Sequence, residues 1–176
     1  APGAPELVER VVALLGETAI SRDDSWGFDH GSWGVVRPMF PNADIPMIQL
    51  SLDRALTPDG HLAVAAKLAV LRDEGVLIVG SGLSYHNLRL FGPGAKEPSA
   101  GFDAWLGDVM AMAPDQRTAA LIDWESAPYA RVCHAREDHF VPLFAALGAA
   151  EGEKATRVYH DTDLFGGVTA SSYRIG

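Results

Sequence analysis

The chain carries a single cysteine, Cys133, among 176 residues. One thiol excludes an intramolecular disulfide framework and suits a reducing compartment, so a cytoplasmic location is expected. Long apolar runs are missing too: nothing approaches the roughly 18–20 residues that a membrane-spanning helix requires. Basic runs are equally absent. The 14 lysines and arginines stand against 23 acidic residues, for a formal net charge of −9. That balance argues against nucleic acid or an anionic membrane as partner. The opening Ala1-Pro-Gly-Ala-Pro has no initiator methionine and none of the basic and apolar regions of a signal peptide. Among catalytic motifs, there is no Cys-x-x-Cys, no His-Glu-x-x-His and no phosphate loop. Gly80-x-Gly82 lacks the third glycine of a dinucleotide fingerprint, so no nucleotide cofactor is expected. Neither Ser81 nor Ser84 sits in a Gly-x-Ser-x-Gly elbow, which argues against an α/β-hydrolase.

What is present is enough for one domain with a real core, at 48% hydrophobic residues. The apolar spacing predicts helices over Pro5–Glu17, Thr57–Glu74 (Leu62, Ala65, Ala66, Ala69 and Leu71 inward), Ala100–Met112, from Pro114 onward, and Asp138–Leu147. Gly34–Phe40 reads as a short helix, and Gly92–Ser99 as a loop. Ile45–Leu52 and the apolar run Val76–Val79 read as strands, the latter covered on both faces. Thr156–Tyr159 and Val168–Tyr173 read as strands that close the sheet. Strand, helix, strand in this order predicts an α/β fold, a single domain with a mostly parallel or mixed central sheet flanked by helices. No repeat, low-complexity tract or second domain is evident.

One stretch fits neither the helical nor the strand period: Trp26-Gly-Phe-Asp-His-Gly-Ser-Trp33. Gly27 and Gly31 permit backbone angles closed to other residues. Packed around the turn, Trp26, Phe28 and Trp33 would wall His30 into a partly dry place beside Asp29. Such an imidazole suits proton transfer, though a loop pinned by aromatic packing explains the pattern equally well. His86 follows an apolar strand through Gly80-Ser-Gly82, at the carboxyl end of a parallel sheet, where α/β folds place ligands. His139, with carboxylates just before it, is open to two readings: a metal ligand in acidic surroundings, or a helix cap. His61 and His160 read as surface residues. His134 reads as ambiguous, with no function favoured. Tyr85, Arg89 and Trp124 are candidates for contact with a substrate ring or carboxylate, or for structural roles.

Taken in order, four stretches resemble a known family: Trp26-Gly-Phe-Asp-His-Gly-Ser-Trp-Gly34, Pro41-Asn-Ala-Asp-Ile-Pro-Met-Ile-Gln-Leu-Ser-Leu-Asp53, Gly80-Ser-Gly-Leu-Ser-Tyr-His-Asn-Leu-Arg89, and Asp138-His-Phe-Val-Pro-Leu143. Together they look like the class III extradiol ring-cleavage dioxygenases, in the branch typified by 4,5-DOPA dioxygenases. The resemblance implies an enzyme of aromatic compound metabolism that uses a non-haem Fe(2+), with zinc able to occupy the site. Its partners would be a small aromatic diol and O2. It implies that His139 is a metal ligand, that His86 lies at the metal as ligand or base, and that His30 is an acid/base residue over the substrate. Tyr85 and Arg89 are the substrate-binding candidates. The family's two further ligand histidines, in a His-Gly and a Ser-x-His-Trp motif, have no counterpart here. The resemblance therefore implies that an amino-terminal third lies outside this chain, and that the 176 residues alone turn over weakly or not at all. An open sheet edge would favour a homo-oligomer.

Overall fold

The computed structural model describes residues 1–150 and 152–176. Proline and glycine punctuate it. α1 (Pro5–Leu15) has its proline in the first turn, where no amide is needed, and ends at Gly16 with φ +94°. α2 (His30–Met39) begins four residues earlier than the expected helix at Gly34. α3 (Pro58–Leu68) is capped by the Thr57 hydroxyl, which accepts the Gly60 N–H at 3.3 Å. It continues as a 3-10 turn over Ala69–Arg72, and the chain reverses at Gly75 with φ +82°.

α4 (Lys96–Met110) buries Phe102, Leu106, Val109 and Met110 along one stripe. Much of the expected loop Gly92–Ser99 is helical instead. A 3-10 turn covers Gly92–Ala95, and α4 then accommodates Pro98 in its first turn. α5 (Pro114–Ile122) and the short α6 (Ala130–Cys133) follow. The helix expected from Asp138 divides in two: a 3-10 turn over Glu137–His139, then α7 (Pro142–Gly148) with proline at its start. β1 (Ala155–Leu164) and β2 (Val168–Ile175) form an antiparallel hairpin packed on α4.

The main core is aromatic. Phe140 touches Phe102, Trp124 and Phe144, with ring centroids 5.4, 5.2 and 5.4 Å away. Burying each such ring stabilises the fold by about 1.5–3 kcal/mol. A smaller cluster joins Val11 of α1 to Leu68 and Leu71.

The mostly parallel central sheet is not found among the described residues. The sheet there has two antiparallel strands, and the only parallel pairing is a single bridge between Gly3 and Met47. Ile45–Leu52 and Val76–Val79 carry no ladder. Their residues still alternate: Val76 and Ile78 pack on the smaller cluster, while Leu77 and Val79 are 65% and 43% exposed. Period-two alternation is a local property, but a strand also needs a second backbone to complete its hydrogen bonds. Likewise, Thr156–Tyr159 and Val168–Tyr173 pair with each other rather than closing a larger sheet. Ala66 faces solvent, unlike Ala65 and Leu68.

Candidate functional site

Two histidines distant in sequence meet just before the start of α7. The rings of His86 and His139 are stacked, with centroids 3.3 Å apart and planes 10° from parallel. Asp138 joins them: one donor atom from each of the three lies within 4.8 Å of the others. All three are half-buried.

The segment that delivers His86 is held by backbone contacts. Leu83 N–H donates to the His139 carbonyl and His86 N–H to the Cys133 carbonyl, both at 2.9 Å. The Asn87 side-chain amide donates to the Val132 carbonyl at 2.7 Å. Gly80 and Gly82 allow this approach, because a Cβ at either position would overlap the carbonyl oxygen of Pro142 or of His139. The Gly80-Ser-Gly82 turn is thus explained by packing rather than by phosphate binding.

The group suits a divalent cation. Nδ1 of His139 is buried and has no hydrogen-bond partner among the described residues, while Asp138 Oδ1 stands 3.4 Å away. Burial holds the His86 imidazole below its ordinary value, His139 and His30 push the same way, and Asp138 opposes them. His86 is therefore neutral near pH 7, with a lone pair available. Two imidazoles and a carboxylate make a donor set common for zinc and non-haem iron. Sequence reasoning placed the acidic residues around the ligand but missed Asp138 as a donor itself; its adjacency to His139 was the only signal.

His30 lies close enough to affect His86, but it is not walled in. It is exposed, Trp26 is 80% exposed, and Trp33 meets the imidazole edge-on at 6.3 Å. The reason is local. Asp29 is the N-cap of α2: its carboxylate accepts the Ser32 N–H at 2.9 Å and the Gln49 amide at 2.9 Å. That fixes His30 at the helix start and engages Asp29 as a cap rather than as a partner of His30. Gly27 and Gly31 do not adopt positive φ. Instead, the Gly31 carbonyl accepts the Ser81 hydroxyl, which ties α2 to the turn before His86.

Of the substrate-contact candidates, Tyr85 and Trp124 belong to the core. Tyr85 is 0% exposed and donates its hydroxyl to the Leu90 carbonyl; Trp124 is 2% exposed. Arg89 is exposed. His61 is not a surface residue: it is 8% exposed, with Nδ1 2.7 Å from the Thr57 carbonyl and Nε2 accepting the Asp53 N–H at 3.1 Å. His160 stays partly exposed, 3.1 Å from the Ser171 hydroxyl. The Cys133 thiol is fully buried, and burial pushes it up to about 12, which leaves it unreactive. No described helix is long and apolar enough to cross a membrane.

Comparison with known proteins gives a consistent set of similarities. Residues 1–176 match the family model described as the catalytic LigB subunit of aromatic ring-opening dioxygenase. A protein of Escherichia coli K12 named 4,5-DOPA dioxygenase extradiol is 35% identical over all of this chain and 67% of its own length. A Beta vulgaris protein of the same name is 37% identical, over 99% of this chain and 66% of its own. The chain thus spans about two thirds of the length of these relatives. Among solved structures, an uncharacterized protein from Escherichia coli K12 superposes with a TM-score of 0.87 at 34% identity, covering 100% of this chain and 74% of that one.

Proposed function

Because the chain belongs to the family of the catalytic LigB subunit of aromatic ring-opening dioxygenases, we propose that it serves as a non-haem Fe(II)-dependent extradiol dioxygenase. Its substrate class would be a catechol-type, DOPA-like aromatic diol, opened with O2. The observation that carries the proposal is the stacked His86–His139 pair beside Asp138, in a chain that matches the family over all its residues.

In this proposal His86 and His139 hold the ion, with Asp138 able to complete the set. A ferrous ion bound there supplies the redox chemistry by which O2 reacts with a diol. The remaining tasks are proton transfers. His86, kept neutral by burial, offers its lone pair to the ion and leaves the proton transfers to another group. To His30, which is exposed and near His86, we assign the taking or returning of a proton at the substrate. Overall, one ring carbon–carbon bond next to the diol breaks and both atoms of O2 enter the product. No outside reductant is consumed.

The test is anaerobic reconstitution with Fe(II) of the full-length gene product that contains this chain, followed by a catechol such as DOPA and then air. Bound iron and a yellow semialdehyde product are expected. A protein that binds no iron and opens no catechol overturns the proposal. Zinc binding without turnover would identify it as a non-catalytic homologue.

A further inference from the structure

His134 takes no part in the donor group or in the proton transfers, yet it is 0% exposed. Phe102 and Phe140, each with its centroid 5.1 Å away, and Trp124 at 5.9 Å enclose its ring. Among the described residues, the ring's one hydrogen bond links Nε2 to the Ser84 carbonyl at 3.0 Å. A carbonyl only accepts, so Nε2 must carry the proton. That leaves Nδ1 bare, buried and without a partner among the described residues. Phenylalanine would fill such a cage without stranding a nitrogen, so packing alone does not account for an imidazole here.

The bond falls at a telling place. Ser84 stands between Leu83, tied to the His139 carbonyl, and His86, tied to the Cys133 carbonyl. The segment Leu83–His86 is therefore held to residues 133–139 at three successive points, and the middle one passes through the His134 side chain. We propose that His134 is a positioning residue for the site: by donating Nε2–H to the Ser84 carbonyl, it fixes the Leu83–His86 segment and so sets His86 against His139. Only the consequence for metal affinity rests on the function proposed above; the positioning itself does not.

The test uses the 176-residue chain with His134→Phe, which fills the cage without a donor, and His134→Asn, which keeps an N–H. In the wild type, imidazole nitrogen NMR shifts should show a neutral His134 with Nε2 protonated. In His134→Phe, the His86 amide should exchange with solvent roughly five- to tenfold faster, the effect of about one hydrogen bond, while amides within α4 stay unchanged. His134→Asn should recover most of that protection. Co(II) affinity should fall about 10–100-fold in His134→Phe, as when a ligand loses its supporting partner, and far less in His134→Asn.

An Nδ1-protonated wild type, unaltered His86 exchange in His134→Phe, or equal loosening in both variants would overturn the proposal. If the wild type binds no Co(II), the metal assignment fails and amide exchange still decides the role of His134. Should His134→Phe not fold, the wild-type tautomer and the His134→Asn exchange decide it.

Discussion

His86 and His139 stack face to face at 3.3 Å, although one follows the Gly80-Ser-Gly82 turn and the other ends a 3-10 turn just before α7. Imidazoles this close cannot both be protonated without strong repulsion. Burial holds the His86 imidazole below its ordinary value, so near pH 7 it presents a lone pair, and Asp138 adds a carboxylate oxygen beside it. Replacing His139 by Ala should cost more metal affinity than the roughly 10–100-fold typical of losing an outer-shell partner, and His86→Ala should do likewise. Titration with Co(II) or Zn(II) measures both. Unchanged affinity in His139→Ala would remove it from the ligand set.

Backbone contact sets the position of His86, so glycine substitutions there should act strongly. A Cβ on Gly82 overlaps the His139 carbonyl, whereas Gly27 has no atom within 4 Å of an added Cβ. Gly82→Ala should lose about 1–3 kcal/mol, the usual cost of overpacking, and weaken metal binding as well. Gly27→Ala should be close to neutral. Urea unfolding of the two variants gives the comparison.

The buried His134 predicts an acid-sensitive fold. Burial, the largest cause, lowers its imidazole from 6.5 to about 4, while the bond to Ser84 opposes the shift. In the unfolded chain the same group binds a proton below about pH 6.5, and in the folded chain only below about pH 4. Between these values the unfolded state holds more protons, so stability falls as pH falls and then levels off. The shift corresponds to about 3 kcal/mol across that window. Denaturant unfolding at pH 7, 5.5 and 4 should show the loss, and His134→Phe should flatten it.

Asp29 acts as a helix cap. Asp29→Ala should destabilise the protein by about 1 kcal/mol through loss of the N-cap, and Asp29→Asn by much less. Thermal unfolding measures both. An Asp29→Asn variant with full stability but a shifted pH–rate profile would instead make Asp29 a partner of His30.

Tyr85 is a core residue, so Tyr85→Phe should cost about 0.5–1.5 kcal/mol, the worth of its hydrogen bond to the Leu90 carbonyl. KM for a catechol should stay unchanged. A large rise in KM at unaltered stability would return Tyr85 to the substrate site.

Much of this protein was legible from the chain alone. Pro5, Pro58, Pro114 and Pro142 stand in the first turns of four helices, Thr57 caps one of them, and the Phe102–Met110 stripe is buried. Both hairpin strands were also readable. These features depend on interactions within a few residues, which the order of side chains fixes directly. Tertiary structure decided the rest. It stacked His86 on His139, buried Tyr85, His61 and His134, spent Asp29 on a helix cap, and left the run Val76–Val79 without a ladder. Each of those outcomes depends on which distant backbone or ring arrives alongside, and no local pattern of residues encodes that arrival.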